Sequence, residues 1–353
     1  MQKKRILFLG ETYRADAITW MNGLKEFGDF EIITWELKTS SNGISRLKRL
    51  MELSKSFLAI KSVVRKLNPD MVIAERTTSY GFLAALSGAF PKAIAQQGIT
   101  DLWPENSPLY PLKKIIQHYA YKKADLIHAW GPIMAEHMKK SNVDMSKVMM
   151  MPKGINLHFF EFKDTSKNPI IKAIVTRSLL PEYKHDVILK AFSILKEQNI
   201  PFELTIVGDG VLLSKLKALA TTLNIEDQVI FTGRISNNEL PKLLKESNLY
   251  ISMPVTEGVS ASLFEAMACG NYPIVTDLAG NRSWINHRDN GSLVPSEDER
   301  KLAEEIIWAF QNIEIRQTTI LKNRKFVEEN VNYAVNMKKM AEVYHQLIQK
   351  IKS

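Results

Sequence analysis

Cysteine is almost absent from this sequence. The single cysteine, Cys269, excludes an intramolecular disulfide, and one thiolate is too few to assemble a metal site by itself. Long uncharged apolar runs are also missing, because no segment approaches the roughly 18 such residues that a membrane-spanning helix needs. These absences favour a protein of the reducing cytoplasm that is soluble or bound to a membrane surface.

Basic and acidic residues are unevenly distributed along the chain. Residues 1–162 contain 23 Lys and Arg against 15 Asp and Glu, whereas residues 163–353 contain 24 against 23. The net charge of +9 is therefore +8 in the first part and +1 in the second. This excess points to an acidic partner for the first part, such as an anionic membrane, an acidic acceptor or nucleic acid. Solvated charge that aids solubility is the alternative.

The sequence does contain enough apolar material for two folded domains. Its 353 residues are 45% hydrophobic and 24% charged, which excludes disorder as the main state. The apolar run 6–9 is followed at once by charge and is too short for the core of a signal peptide. We therefore expect this run to be a first β-strand.

Short apolar runs alternate with longer amphipathic stretches. Strands buried on both faces are predicted at 5–10, 30–35, 71–75, 93–96 and 126–130, with helices at 15–27, 44–67, 79–88, 111–123 and 132–140. A second series has strands at 170–176, 202–207, 228–232, 248–253, 273–276 and 291–294, with helices at 186–198, 211–223, 238–246, 259–268 and 298–312. The alternation predicts two doubly wound α/β domains.

The polar stretch 161–169 has no periodicity and ends in Asn-Pro, which indicates a domain boundary. We expect a first domain at 1–162 and a second at 163–331. Ligands of such sheets bind at the carboxyl ends of the strands, so a cleft between the domains is the expected site.

The segment 254–273, PVTEGVSASLFEAMACGNYP, combines a loop with the start of a helix. The first helical turn presents the amides of Ser260, Ala261, Ser262 and Leu263. Such amides have no partner within the helix and carry partial positive charge, which suits a phosphate. Glu265 lies deep enough for its carboxylate to accept hydrogen bonds from a ribose, and Glu257 precedes the helix. Two glutamates that merely favour a helix start are the alternative.

The spacing from Glu257 to Glu265, the glycine after Glu257 and the EAMACG ending resemble the E-x7-E motif of retaining glycosyltransferases of group 1, or family four. The resemblance implies the GT-B fold, in which two Rossmann-like domains face each other across a cleft. It implies that Glu257 contacts the donor sugar and that Glu265 holds the ribose. It also implies that Gly258 and the loop amides up to Leu263 bind the diphosphate.

Other phrases resemble the same family in the expected order. VTRSLLPEYKHDVILKAF implies that Arg177 and Lys184 lie against the diphosphate, where two cations offset the charge of the leaving group. Their separation is longer than is usual in the family. VGDG and FTGRIS imply that Gly208, Arg234 and Ile235 line the nucleotide site. The last helical stretch, about 332–353, is expected to cross back to the first domain, as in the family.

The first domain departs from the family's pattern. Many members have a Gly-Gly pair in the first β-to-α loop, whereas this chain has GETYRAD, in which Gly10 alone can approach the donor phosphate directly. Arg14 either replaces part of the missing contact or binds the acceptor. QQGITDLWP resembles a Gly-x-Asp loop of some members, which places Asp101, and Gln97 with it, near the transferred sugar. A helix cap or turn is an equal alternative for Asp101.

Residues 44–67 form a basic amphipathic stretch with one acidic residue, Glu52. Its basic residues are Arg46, Lys48, Arg49, Lys55, Lys61, Arg65 and Lys66. A second stretch, YPLKKIIQHYAYKK at 110–123, interleaves tyrosine and lysine. Both favour binding to an anionic membrane surface, and solvated helix faces are the alternative.

We therefore expect a cytoplasmic enzyme, at the inner face of the membrane, that transfers a sugar from a UDP- or GDP-sugar to a cell-envelope glycan or lipid-linked acceptor. The resemblance implies retention of configuration and no cofactor. The sequence has no Asp-x-Asp pair at a strand end and no evident histidine cluster, so we expect no essential metal. The alternative function is a silent sugar-nucleotide-binding scaffold. No motif supports nucleic-acid binding.

Overall fold

The computed structural model describes residues 3–38, 46–96, 106–236, 238–258 and 260–350, without the side chains of Arg46, Leu47, Arg49 and Leu50. The chain divides into two compact units. Unit 1 comprises Met1–Gly154 and Tyr333–Ser353, and unit 2 comprises Ile155–Asn332. The division lies earlier in the chain than the predicted boundary between residues 162 and 163.

Unit 1 is built on a parallel sheet of short, apolar strands. The strands are β1 (Arg5–Leu9), β2 (Glu31–Trp35), β3 (Met71–Glu75), β4 (Lys92–Ala95), β5 (Leu126–Ala129) and β6 (Val148–Met150). They are arranged in the order β2-β1-β3-β4-β5-β6. Because the chain leaves β1 for β2 on one side and returns to β3 on the other, the topological switch point lies between β1 and β3.

Helices of unit 1 include α1 (Ala15–Gly28), α2 (Arg46–Leu67), α3 (Tyr80–Leu86), α4 (Tyr110–Lys123) and α5 (Pro132–Lys140). The ring of Phe82 on α3 lies 5.2 Å from that of Phe57 on α2 and 5.7 Å from that of Tyr119 on α4, both edge-on. These contacts place α2, α3 and α4 side by side in one layer. Beneath α2 and α3, Ile60 and Leu83 pack on Leu7 and Val72 of the sheet.

The last helix, α13 (Tyr333–Gln349), belongs to unit 1 and packs on α1. The indole N–H of Trp20 donates to Met340 Sδ at 3.0 Å, and Tyr333 Oη donates to the carbonyl oxygen of Thr19 at 2.9 Å. A side chain at Gly23 would overlap Met337, so the glycine permits the close approach of the two helices.

Unit 2 contains a second parallel sheet. Its strands are β7 (Ile171–Thr176), β8 (Phe202–Val207), β9 (Val229–Gly233), β10 (Leu249–Ser252), β11 (Tyr272–Thr276) and β12 (Ser292–Val294). The order β12-β11-β10-β7-β8-β9 is that of a dinucleotide-binding Rossmann sheet, with the switch point between β7 and β10.

Helices cover both faces of this sheet: α6 (His185–Glu197), α7 (Leu213–Thr222), α8 (Leu240–Glu246), α9 (Ala261–Cys269), α10 (Ala279–Arg282), α11 (Glu299–Gln311) and α12 (Ile313–Asn330). Helix α6 buries Val187, Ile188 and Phe192 against the sheet, while α9 buries Leu263 and Phe264 in a second cluster. The apolar face of each helix thus meets strands that are buried on both sides.

The predicted α/β class with two Rossmann-like sheets is confirmed. Three elements were not predicted, namely β6, α10 and α12. Helix α12 escapes detection because the side chains it buries include Arg316, Thr319 and Asn323, so its apolar residues form no clear stripe. Among the described helices, none is both long and apolar enough to cross a bilayer.

Candidate active site

The switch point of unit 2 brings two predicted segments together. Arg177 directly follows β7, and residues 254–260 follow β10, the strand beside it. The amide of Val255 donates to the carbonyl oxygen of Glu182 at 2.9 Å, and Glu182 belongs to the 3₁₀ turn Pro181–Tyr183. The loop after β10 is therefore fixed against the loop after β7.

Arg177 is the centre of this site. Its Nη2 forms an ion pair with Glu257 and donates to Ser260 Oγ at 2.6 Å, while its Nε donates to Ser252 Oγ at 3.3 Å. The ring of Tyr183 lies 5.4 Å from the guanidinium carbon. The side chains of Arg177 and Glu257 are only 16% and 12% exposed, so water screens this ion pair weakly. Arg177, which is predicted to bind the diphosphate, is thus in direct contact with Glu257, which is predicted to bind the sugar.

The N-terminus of α9 lies beside Arg177. Ser260 is the N-cap residue, and its Oγ accepts the N–H of Leu263 at 3.3 Å. The prediction that the Leu263 amide is free for a phosphate is therefore wrong, because a serine at this position caps the helix. The amide of Gly258 also has a partner, since it donates to Oε1 of Glu257 at 3.1 Å. Helix geometry leaves the amides of Ser260, Ala261 and Ser262 without a partner within the helix.

Glu265 lies one turn further into α9 and is half-buried. Burial raises the pKa of its carboxyl to about 7, against the attraction of Arg177, which lowers it. In the part of the chain that the structure describes, the side-chain carboxyl of Glu265 has no hydrogen-bond partner. A poorly solvated carboxylate of this kind is ready to accept hydrogen bonds from a ligand.

A pocket of about 180 Å³ adjoins Arg177. It is lined by Thr176, Arg177, Ser178, Val207, Gly208, Arg234, Ile235, Ser236 and Leu240. The predicted residues Gly208, Arg234 and Ile235 are therefore brought together with Arg177. Thr176 Oγ1 is buried without a hydrogen-bond partner among the described residues.

Two glycines hold the backbone of this site in place. A Cβ at Gly208, where φ is +141°, would lie 2.3 Å from the carbonyl oxygen of Arg177. One at Gly280, on α10, would lie 2.1 Å from the carbonyl oxygen of Glu257. Both carbonyl groups belong to the backbone and cannot rotate away, so each glycine permits an approach that no other residue allows.

Comparison with known sequences decides the family. The sequence model described as "Glycosyl transferases group 1" matches residues 159–326, and the one described as "Glycosyl transferase 4-like" matches residues 6–130. The chain belongs to the group 1 glycosyltransferases. The fold agrees, because the Anabaena protein Alr3699/HepE, solved with UDP and glucose, superposes with a TM-score of 0.74. That likeness covers 96% of this chain and 99% of the other, at 15% identity. The two units thus have the GT-B fold.

Two curated relatives are named as sugar transferases. The amylovoran biosynthesis glycosyltransferase AmsK of Erwinia amylovora is 26% identical over 70% of this chain and 58% of its own length. An Escherichia coli enzyme, UDP-Gal:alpha-D-GlcNAc-diphosphoundecaprenol alpha-1,3-galactosyltransferase, is 27% identical over 46% of this chain and 44% of its own length. The chain thus matches less than two thirds of the length of these relatives.

Lys184 and Gly10 both lie against other groups of the protein. Lys184 follows the 3₁₀ turn, and its ammonium forms an ion pair with Glu297, in the loop after β12. Its place at the diphosphate stays a prediction. In unit 1, a side chain at Gly10 would lie 2.9 Å from Oε2 of Glu75. The ring of Phe8 would be closer still, at 2.6 Å, so contacts within the protein already explain why glycine stands at this position.

Asp101 and Gln97 are outside the described residues, as are the side chains of Arg46 and Arg49. On α2, Lys48, Lys55, Lys61, Arg65 and Lys66 are exposed.

Sequence reasoning missed three residues of the site. Ser252 is the last residue of β10, and a polar side chain at the end of a buried strand is a signal that could have found it. Tyr183 and Gly280 carry no such signal, because their contacts with Arg177 and Glu257 depend on how the loops fold.

Proposed function

We propose that this chain is a retaining glycosyltransferase. It moves a sugar from a UDP- or GDP-sugar to a hydroxyl of a cell-envelope glycan or lipid-linked acceptor, without a metal ion. The observation that carries the proposal is the junction of Arg177, Glu257 and Ser260 at the switch point of unit 2. The diphosphate of the donor binds Arg177 together with the amides of Ala261 and Ser262.

Glu257 balances the charge of Arg177 while the site holds no donor. When the sugar donor binds, its diphosphate accepts the hydrogen bonds of the Arg177 guanidinium group. The carboxylate of Glu257 is then able to accept hydrogen bonds from the sugar hydroxyls. Two N–H groups of Arg177 are already held in this part of the site by Ser252 and Ser260. Little reorganisation is therefore needed when negative charge develops on the departing diphosphate.

Transfer needs no nucleophile from the protein. The acceptor oxygen forms its bond to the anomeric carbon on the face from which the diphosphate leaves, while the bond from that carbon to the diphosphate oxygen breaks. The acceptor proton goes to the departing phosphate oxygen. Arg177 and the N-terminus of α9 stabilise the negative charge of the leaving group.

Names of the relatives support the substrate class. One relative is named for amylovoran biosynthesis, another for a diphosphoundecaprenol acceptor and a UDP-galactose donor, and a protein of the same fold was solved with UDP. We assign this chain a nucleotide-sugar donor and an envelope-glycan or lipid-linked acceptor on the same basis.

Replacing Glu265 with glutamine is expected to weaken UDP or GDP binding about tenfold near pH 8, because hydrogen bonds to a charged acceptor are worth about 1.5–3 kcal/mol. The loss should shrink near pH 5.5, where a carboxyl with a pKa of about 7 is already protonated in the wild type. Calorimetric titration of both proteins at the two pH values measures the ratio of dissociation constants.

The same variant gives a stability signature. A carboxyl group whose pKa is higher in the folded than in the unfolded protein stabilises the fold fully at pH values below its unfolded-state pKa. This stabilisation is lost as the pH rises through the folded-state pKa of about 7. Glu265→Gln should therefore melt at a higher temperature than wild type at alkaline pH and at the same temperature in acid. Glu304→Gln, on the exposed side of α11, is the matched control. Equal nucleotide affinity for wild type and Glu265→Gln at every pH would remove Glu265 from the site.

Unit 1 binds the cytoplasmic face of an anionic membrane. On α2, basic Lys48, Lys55 and Arg65 alternate with Met51 and Leu58 along one exposed face, and Leu58 is 88% exposed. On α4, two exposed apolar side chains, Leu112 and Ile115, flank the exposed Lys114. Since α2 and α4 belong to one layer, their basic and apolar side chains can meet the same bilayer. Each basic residue near the surface contributes about 1 kcal/mol.

Vesicle co-sedimentation tests the membrane surface. Wild type should bind vesicles that contain phosphatidylglycerol, bind pure phosphatidylcholine weakly, and dissociate at high salt. Leu58→Asp should lower the affinity about tenfold, through lost apolar insertion and added negative charge. Val211→Asp, at a position 82% exposed in unit 2, is the control. Equal binding by both variants would argue against α2 as the contact.

A further inference from the structure

The switch point of unit 1 also carries a cluster of charged residues. Glu11 follows β1 and Arg76 follows β3, the two strands that flank the switch point. Arg14 and Asp16 lie at the start of α1, and Glu75 is the last residue of β3. Crevices at this position of doubly wound sheets bind ligands.

One buried carboxylate holds two arginines in the cluster. Arg76 Nη1 and Nη2 donate to the two oxygens of Glu11 at 3.2 and 2.7 Å, and Arg14 Nη1 lies 3.5 Å from Glu11 Oε2. The Glu11 side chain is 3% exposed, whereas that of Arg14 is 47% exposed. The acid is thus inside and the guanidinium groups are nearer the solvent, an arrangement that presents positive charge to a ligand.

The loop that carries Glu11 and Arg14 is itself fixed. Thr12 donates from its amide and its hydroxyl to Oε2 of Glu36, at 3.1 and 3.0 Å, and Glu36 follows β2. The guanidinium group of Arg14 is therefore held on a constrained backbone, which lowers the entropy lost on binding.

Arg76 occupies an unusual backbone conformation. Its φ of +59° is the left-handed region, where glycine or asparagine is favoured. A non-glycine residue there costs roughly 1 kcal/mol or more. Asparagine adopts this conformation more readily than arginine, so it is the replacement that adds least backbone strain here.

The charges of the cluster leave room for an anion. Lys153, which packs against the rings of Trp20 and Trp130, lies 3.8 Å from Oδ2 of Asp16. Three cations, from Arg14, Arg76 and Lys153, thus share the carboxylates of Glu11 and Asp16. Burial raises the pKa of the neighbouring Glu75 to about 7, while Lys153, Arg76 and Arg14 lower it and Asp16 raises it. Around neutral pH, Glu75 is therefore incompletely ionised. Burial also lowers the pKa of Lys153, so Arg14 and Arg76 are the cations of the cluster that stay charged throughout the physiological pH range.

We infer that Arg14 and Arg76, anchored on Glu11, form an anion-binding site in unit 1 that recognises a phosphate or carboxylate group of the acceptor. This inference rests on the proposed glycosyltransferase function and specifies the acceptor as an acidic one. A guanidinium group has five N–H donors, of which Arg76 uses two on Glu11, so further planar donors remain for phosphate or carboxylate oxygens.

Titration with matched sugars tests the site. Methyl glucuronide, methyl glucoside 6-phosphate and neutral methyl glucoside are titrated by NMR into the whole protein, with and without saturating UDP. We expect at least one acidic sugar to bind wild type tenfold or more tightly than the neutral one. Arg76→Asn and Arg14→Gln should abolish this preference and change the UDP dissociation constant less than twofold. Arg300→Gln, at an exposed position in unit 2, should keep the preference.

The outcomes separate the possible sources of the anion. A preference that persists in both variants, or the absence of any preference in wild type, overturns the inference. A large loss of UDP affinity in the variants, without an acidic-sugar preference, would assign the arginines to the donor diphosphate and overturn the acceptor assignment. Failure of wild type to bind any nucleoside diphosphate would count against the proposed function, and the sugar titrations without UDP would still decide the inference. Arg76→Asn leaves the carboxylate of Glu11, which is 3% exposed, without its bidentate partner, so the thermal unfolding of this variant is measured alongside its titration. Arg14→Gln keeps the pair between Arg76 and Glu11, so its loss of the preference tests the inference without that cost.

Discussion

Arg177→Ala is expected to lower kcat/KM for the nucleotide sugar about 10²- to 10³-fold, the usual loss when one group that stabilises developing negative charge is removed. The variant loses the guanidinium group that joins Glu257, Ser260 and Ser252. It also leaves the carboxylate of Glu257, which is largely buried, without its counter-ion and facing the incoming diphosphate. Both effects act against the donor, and release of nucleoside diphosphate by the purified variant measures their sum.

Arg177→Lys separates charge from geometry. Lysine restores a positive charge but lacks the planar fork that reaches the carboxylate and the two hydroxyls together, so we expect only partial recovery. Arg282→Ala is the control, because Arg282 forms an exposed ion pair with Asp277 in the same unit. If kcat/KM of Arg177→Ala stays within about threefold of wild type, Arg177 does not contact the leaving group.

Gly208→Ala is expected to destabilise the protein by at least about 2 kcal/mol, the range of backbone strain combined with a steric overlap. The added Cβ would lie 2.3 Å from the carbonyl oxygen of Arg177, at a φ of +141° that side chains rarely adopt. Relief requires the backbone of Arg177 to move, so donor affinity should fall together with the melting temperature. Thermal unfolding and UDP titration measure the two effects.

Gly233→Ala provides a matched comparison for that variant. Gly233 also has a positive φ, of +68°, but among the described residues no atom beyond Gly233 and its two chain neighbours lies within 4 Å of a Cβ built there. It therefore reports conformational strain alone. Equal destabilisation by the two substitutions would mean that the contact between Gly208 and Arg177 contributes nothing, contrary to the geometry of the site.

Local sequence was a good guide where the determinants are local. Alternating strands and helices predicted both Rossmann-like sheets, because buried parallel strands and amphipathic helices have distinct periods. The segment around Glu257 and Glu265 was recognisable because strand end, loop and helix start follow one another in the chain. Even there, the capping of the Leu263 amide by Ser260 depended on a side-chain rotation that spacing does not specify.

Long-range partners could not be predicted from the sequence. Lys184 pairs with Glu297, which lies on the other side of the E-x7-E segment in the chain, so no local pattern links them. Gly10 faces Glu75 because β1 and β3 are neighbours in the sheet although β2 separates them in sequence. The anchoring of Arg76 and Arg14 on Glu11 has the same origin, and only the strand order reveals it.

The measurement that tests the central claim most directly is ¹H NMR of nucleotide-sugar consumption. Purified protein is incubated with UDP- and GDP-sugars and with methyl glycosides as acceptors, in the presence and absence of chelator. The account predicts that one donor is consumed, that chelator has no effect, and that the first product has the anomeric configuration of the donor. Product of the opposite configuration, loss of turnover with chelator, or binding of nucleoside diphosphate without any turnover would contradict it, and the last result would favour a silent scaffold on the same fold.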